Sequence, residues 1–369
     1  MKNYDLDNFE PAAKIVVIGV GGGGNNAVNR MIDEEIENVD FYVANTDKQT
    51  LATSKAHNRL VLGAEITGGL GAGGDPEIGK IAAEASSEDI KEIVKGANMV
   101  FIAAGMGGGT GTGASPVIAK IARDAGALVV AIVTRPFGFE GKKRIAYSVE
   151  GLNNLKANVD SIIVVSNDKL LMMEGNSPIG NAFSEGDKVL AQSVKTVVNL
   201  ILLPAIINLD FADVRNTLQN SGVALIGFGI GKGPERARDA AINAINSPLL
   251  EASIHGAKKS IVSITCGPKV SLFEAQETVN RLIEASGSAI DIKFGISIND
   301  QLNDEILVSV IAAQFETDFD FAAPDMIVRA EDIKNEDEDV LNPEEETVKV
   351  ERKGEELDER SILPSFLKD

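Results

Sequence analysis

The sequence predicts an α/β protein: a Rossmann-like parallel-sheet domain, joined by a long central helix to a smaller α/β domain, with a disordered acidic C-terminal tail. Three patterns lead there. Short β-branched apolar runs alternate with helical patterns from residue 12 to about 176, and apolar strands separated by helices call for a parallel sheet covered on both faces. A long helical pattern, Ile179–Leu203, then divides the chain before a looser α/β alternation resumes. Past Phe321 the apolar pattern collapses into acidic runs. The expected units are a flexible N-terminus (1–11), a nucleotide-binding domain (12–178), the central helix (179–205), a second domain (206–315), an acidic linker (316–360) and a terminal peptide (361–369).

In chain order, strands are expected at Lys14–Val20, Phe41–Thr46, Arg59–Leu62, Asn98–Ala104, Leu128–Thr134 and Ser161–Ser166. Asp75-Pro76-Glu77 opens a helix reaching Lys95, with an acidic cap and proline in the first turn. Pro204 stops the long helix. The second domain reads as strand Val223–Ile230, helix Glu235–Asn246, strand Ser260–Cys266, helix Leu272–Ser286, and strands Ala289–Ile298 and Glu305–Ala313. The acidic run Glu331–Asp339 and the triplet Glu344–Glu346 have too little apolar surface to offset ordering entropy.

Composition narrows the function. The net charge is −20, of which −12 falls between Glu316 and Asp369, so no Lys/Arg-rich surface is expected for DNA or RNA. One cysteine, Cys266, permits no internal disulfide and fits a reducing, cytoplasmic setting. With only His57 and His255 beside it, a structural zinc site is not expected. The acidic start Met1–Asp7 has no apolar core for a signal sequence, and Val197–Leu209 falls short of the roughly 20 apolar residues a membrane span needs. A soluble protein without direct membrane insertion is expected.

Two glycine-rich segments carry the chemistry. Gly19–Asn26 follows an apolar strand and leads into a helix, so its glycines let the backbone approach a phosphate and the helix start offers free N–H groups. Gly105–Gly113, between the strand ending at Ala104 and another helix, can do the same, and two such loops can grip one triphosphate from both sides. Gly19, Gly21 and Gly24 also satisfy the dinucleotide fingerprint, with Asp40 a candidate ribose acid, so an NAD-type oxidoreductase competes. Between the two lies Thr67–Gly74. Gly74 to Lys80 mimics a P-loop, but Ile81 stands where a hydroxyl should follow the lysine. Finally, the carboxylates of Asn208-Leu209-Asp210-Phe211-Ala212-Asp213 can polarise a water for attack on phosphorus. Read alone, Asp210 caps the following helix. Acids beside phosphates in one subunit would repel them, so delivery by a neighbouring chain makes better sense.

The segment Gly107–Gly113, together with Asn208–Asp213, resembles the tubulin/FtsZ family, and within it the bacterial cell-division branch. Asn45-Thr46-Asp47, Arg135-Pro136-Phe137, Phe139–Arg144 and Ser247–Leu250 fit too, and the likeness runs from Ile15 to Ala313. Gly74 and Ser166 depart from the family pattern, outside its catalytic set. The resemblance implies GTP/GDP as ligand with Mg²⁺ on the phosphates and no metal-ligating side chains. It implies phosphate contacts from Gly22–Asn26 and Gly108–Thr112, γ-phosphate sensing by Gly71, Ala72 and Gly73, and ribose-side contacts from Glu140 and Arg144. Asp187 matches the carboxylate that reads guanine and Phe183 the ring stacked on it. Asn208, Asp210 and Asp213 match the catalytic set that enters the next subunit's pocket. It further implies a head-to-tail homopolymer at the mid-cell division site, with membrane-tethering and regulatory division proteins docking on Ile362–Lys368.

Overall fold

The computed structural model describes residues 13–173, 179–202, 205–254, 256–286, 290–316 and 319–322. Ten strands among them form one sheet in the order β3-β2-β1-β4-β5-β6-β7-β10-β8-β9. The first six are β1 (Ile15–Val20), β2 (Asp40–Asn45), β3 (Asn58–Val61), β4 (Met99–Gly105), β5 (Leu128–Arg135) and β6 (Ser161–Ser166), all parallel. Every residue of β1 is buried. Its alternate side chains feed two cores, Ile15 and Val17 on one face and Val16, Ile18 and Val20 on the other. That is why these strands read as unbroken apolar runs.

Helices cover both faces: α1 (Gly21–Asp33), α2 (Lys48–Ala52), α3 (Ala64–Thr67), α4 (Pro76–Ala85), α5 (Ser87–Val94), α6 (Thr110–Asp124), α7 (Lys142–Lys156) and α8 (Asn167–Met173). The helix expected at Asp75–Lys95 is in fact two. It breaks at Ser86, whose Oγ accepts from the Gly63 N–H at 2.9 Å, a tertiary contact invisible to local periodicity. From β1 the chain steps outward through β2 and β3, then returns to the other side of β1 with β4. Between β1 and β4 the winding reverses, and ligands of open α/β sheets bind at such a point, outside the carboxyl ends of the strands.

Helix α9 (Ile179–Leu202) packs Val189, Leu190, Val194 and Val197 into the first core. After it come α10 (Phe211–Leu218), β7 (Gly222–Gly231), α11 (Arg236–Ile245), β8 (Ala257–Cys266), α12 (Leu272–Ser286), β9 (Asp291–Ile298) and β10 (Ile306–Phe315). The strands of this second half continue the same sheet: β7 pairs parallel with β6 through Ser161, Ile162 and Ile163. The buried Asp160 carboxylate fastens this seam, accepting from the Val129 N–H at 2.9 Å and the Asn220 N–H at 3.3 Å. β10 runs antiparallel to β7 and β8, and β9 parallel to β8.

Residues 319–322 of the expected linker are described. Phe321 is 1% exposed in the second core, with the Lys156 ammonium 5.8 Å from its ring centroid. Phe319 meets Phe315 edge to face at 5.2 Å. Two aromatic rings offset the cost of ordering a short acidic segment. The rest of the expected linker, the terminal peptide, residues 1–11 and His255 lie outside the described residues. Phe321→Ala should destabilise the protein by about 3–5 kcal/mol, as large buried truncations do, measured by denaturant unfolding; truncation after residue 322 should leave that stability unchanged.

Candidate nucleotide site

β1 and β4 are hydrogen-bonded neighbours, so the helices that follow them start side by side. Neither start is capped. Val20 before α1 and Gly109 before α6 supply no side-chain acceptor, and neither first turn holds an acid. Elsewhere Asp47, Asp75 and Asp210 cap α2, α4 and α10. A helix start leaves its first N–H groups without partners and carries the positive end of the dipole. Two bare starts together therefore make a strong anion site. The glycine segment is itself the first turn of α1, a correction to the expected loop before the helix.

Glycine serves two purposes here. A Cβ at Gly21 would stand 2.8 Å from the Gly111 nitrogen, so the two segments meet only without side chains. A Cβ at Gly22 or Gly108 would meet nothing within 4 Å, which leaves a cradle open to a ligand. Gly22, Gly23 and Asn26 are exposed, and Gly108 and Thr110 partly so. Asn25 and Thr112 face inward instead. With its amide oriented by its neighbours, Asn25 donates to the Gly21 and Gly19 carbonyls (2.9 and 3.0 Å) and accepts from Asn45 Nδ2. Thr112 Oγ1 accepts from the Gly107 N–H at 2.8 Å. Both brace the segments and present only backbone to a ligand.

Sequence reasoning gave Thr46 no role of its own. Its hydroxyl lies 2.7 Å from that of Thr110, and its carbonyl accepts from the Gly71 N–H at 3.1 Å, which ties the third glycine segment to the other two. No local signal marks a contact spanning 64 residues. Gly71 and Gly73 hold positive φ, while buried Ala72 packs under Gly109. Lys80 pairs with Glu77 on capped α4, so the Gly74–Lys80 segment is no P-loop.

Beyond β5, the Glu140 carboxylate accepts from the Phe137 N–H at 2.9 Å and pairs with Arg144, whose backbone abuts Gly107. Asp187 sits on α9 one residue past Gly186, where a Cβ would meet Asn167 Oδ1 at 3.3 Å and Thr134 Cγ2 at 3.9 Å. Burial raises the Asp187 pKa to about 7, against the pull of the Arg30 guanidinium. Phe183 lies one turn earlier on α9, with its side chain outside the described residues.

Asn208, Asp210 and Asp213 are not brought to this cluster. They follow the carboxyl end of α9, whose 24 residues span about 36 Å. Asp210 caps α10 by accepting from the Asp213 N–H at 2.8 Å. Arg215 on α10 donates to the carbonyl of Gly126, just before β5 and so at the opposite edge of the sheet from the glycine segments. Asp40 also stands at that far edge, paired with Val16 at the start of β1, and cannot serve as the ribose acid of a dinucleotide site.

Residues 14–175 match the Tubulin/FtsZ family GTPase domain, and residues 222–316 the FtsZ family C-terminal domain. The fold is similar to an empty FtsZ dimer from M. jannaschii, with TM-score 0.81 and 38% identity over 90% of this chain and 95% of that one. It is also similar to a tryptophan-to-tyrosine mutant of M. jannaschii FtsZ, with TM-score 0.80 and 40% identity over 84% and 93%. GTPγS-bound CetZ2 from Haloferax volcanii, 20% identical with TM-score 0.71 over 82% and 93%, shares the fold. Gly108→Ala should leave stability within about 0.5 kcal/mol yet weaken nucleotide binding at least tenfold. Gly109→Ala, whose Cβ would press on Ala72 and Asp75 at 2.9 Å, should lower the melting temperature itself. Paired thermal melts and binding titrations distinguish the two.

Proposed function

Because this chain belongs to the FtsZ family of tubulin-type GTPases, we propose that it assembles head to tail and hydrolyses GTP at each junction, as a filament that scaffolds cell division at mid-cell. The observation that carries this reading is the polarity of the molecule: the anion-gripping segments lie at one edge of the sheet and the acids at the other. One chain cannot close that distance. A second copy stacked in the same orientation can, and repetition of such a contact makes a filament.

Apolar surface at the two ends fits the same arrangement. Leu70 (86% exposed) and Phe139 stand beside the gripping segments, and Ile206 and Ile298 beside the acids. Apolar side chains exposed at both ends are available to such a contact. Burying them offsets the cost of bringing carboxylates toward phosphates.

In this reading Gly22–Asn26 and Gly108–Thr112 hold the phosphates through backbone N–H groups, Gly71–Gly73 covers the γ-phosphate, Glu140 and Arg144 take the ribose side, and Phe183 stacks on the base. Ionised Asp187 accepts from guanine's N1–H and exocyclic amine. Asn208, Asp210 and Asp213 of the neighbour orient a water toward the γ-phosphorus; the Asp213 carboxylate takes its proton as the bond to the β-phosphate oxygen breaks. The bare helix starts stabilise charge on the departing GDP. Mg²⁺ supplies charge neutralisation on the phosphates. The gripping segments offer amides and hydroxyls rather than carboxylates, so Mg²⁺ would be held chiefly by the nucleotide's own phosphates. No described helix is long and apolar enough to cross a membrane. Attachment falls to tethering and regulatory proteins binding Ile362–Lys368.

Three outcomes test this. GTP turnover per subunit should rise sharply above a threshold protein concentration; a constant specific rate down to full dilution would sink it. Asp213→Ala should keep GTP affinity but lose most turnover, and mixing it with Gly108→Ala protein should restore activity that neither has alone, because mixed junctions pair a sound pocket with sound acids. GTP affinity should fall as pH drops below about 7, by up to tenfold per unit, since binding requires ionised Asp187; in Asp187→Asn that dependence should vanish.

A further inference from the structure

Glu251, just after α11 in the second half of the chain, has a fully buried carboxylate that faces the first half. Its Oε1 accepts from the Ser166 N–H, at the end of β6, at 2.7 Å. Its Oε2 lies 3.9 Å from the Arg135 guanidinium, at the end of β5, and 4.0 Å from the Lys169 ammonium on α8. Lys169 also donates to the Leu250 carbonyl at 2.7 Å. A buried carboxylate carries a desolvation cost of several kcal/mol unless cations and N–H groups surround it, so the contact has a narrow geometry.

The strand ends it holds are those that build the pocket wall. Arg135 is two residues before Phe137, whose N–H binds Glu140, the partner of Arg144. Ser166 precedes Asn167, which packs at Gly186 beside Asp187. Asp168 closes the ring by accepting from the Gly138 N–H at 3.0 Å. Neither Glu251 nor Lys169 belongs to the proposed gripping or catalytic sets.

We propose that Glu251 is a positioning residue for the base and ribose side of the nucleotide pocket, the point through which the second half of the chain sets guanine-nucleotide affinity in the first. The proposal rests on the reading of the pocket as a GTP site. If the carboxylate leaves or loses its charge, Arg135 and Lys169 are left as facing cations, and the segments that follow the ladder pair Arg135–Ser166 shift apart. The Glu140–Arg144 and Asp187 walls then move apart. The coupling runs both ways: a nucleotide that fixes those walls tightens the junction between the halves.

The test uses the full-length protein below its assembly threshold, with a fluorescent methylanthraniloyl GTP as probe and amide hydrogen exchange as a second readout. Glu251→Gln keeps an acceptor for Ser166 but removes the charge. It should weaken GTP and GDP binding by about tenfold, within the usual range of coupling between sites, and speed exchange at Ser166 and Gly138. Glu251→Asp should recover part of the affinity. Lys169→Met attacks the contact from the other half and should weaken binding in the same direction; it decides the matter if Glu251→Gln does not fold. A purely structural role would lower the melting temperature while folded protein bound the probe as the parent does. Affinities within twofold of the parent in folded variants would overturn the proposal. Failure of the parent itself to bind the probe would overturn the GTP-site reading beneath it, which separates the two failures.

Discussion

In a parallel sheet every strand delivers its following helix at the same edge, and each such helix starts with unpartnered N–H groups directed outward. The rest of this molecule depends on that polarity. The uncapped starts of α1 and α6 are brought together because β1 and β4 are neighbours at the reversal of the winding. Glycine at Gly21 and Gly111 lets the two backbones approach. The same chain caps α2, α4 and α10 with aspartate; α7 also starts without a cap or an acid, so what sets α1 and α6 apart is that their bare starts stand side by side.

Bare helix starts and a half-buried carboxyl weaken an empty protein. Asp187, with its pKa raised by burial, withdraws stability as pH climbs from the ordinary carboxylate range to about 7, because the unfolded chain ionises first. In the proposed site a nucleotide recovers both deficits: phosphates would satisfy the helix N–H groups, and guanine's donors would favour the charged carboxylate. Binding and folding are thereby linked, and ligand should raise the apparent stability by mass action.

The length of α9 is what makes the proposed function depend on assembly. It carries Asp187 in its first half and Asn208–Asp213 follow beyond its end, so the groups proposed to read the base and to activate water stand far apart in one chain. The two halves are nevertheless not independent bodies. Asp160 stitches β5 and β7 at one edge of the seam, and Glu251 grips the ends of β5 and β6 at the other. A change in the pocket wall therefore reaches the second half through buried charge.

Much of the fold was legible because its signals are local. β-branched runs such as Ser161–Ser166, glycine runs after strands, and the Asp-Pro start at Asp75 act over a few residues, and a long apolar helix announces itself. The glycine segments, and the resemblance they carry, pointed to the family and the pocket. Tertiary structure alone decided what depends on residues distant in sequence. Asn25 and Thr112 turned inward because the backbone they brace needs acceptors and donors there. Thr46 joined the site through a partner 64 residues away. Asp40, spaced well for a ribose, stands at the wrong edge because strand direction, not spacing, sets which end a residue occupies. Phe321 and Glu251 found partners only after the chain had closed, since burial is a property of surfaces that meet and periodicity describes one surface at a time.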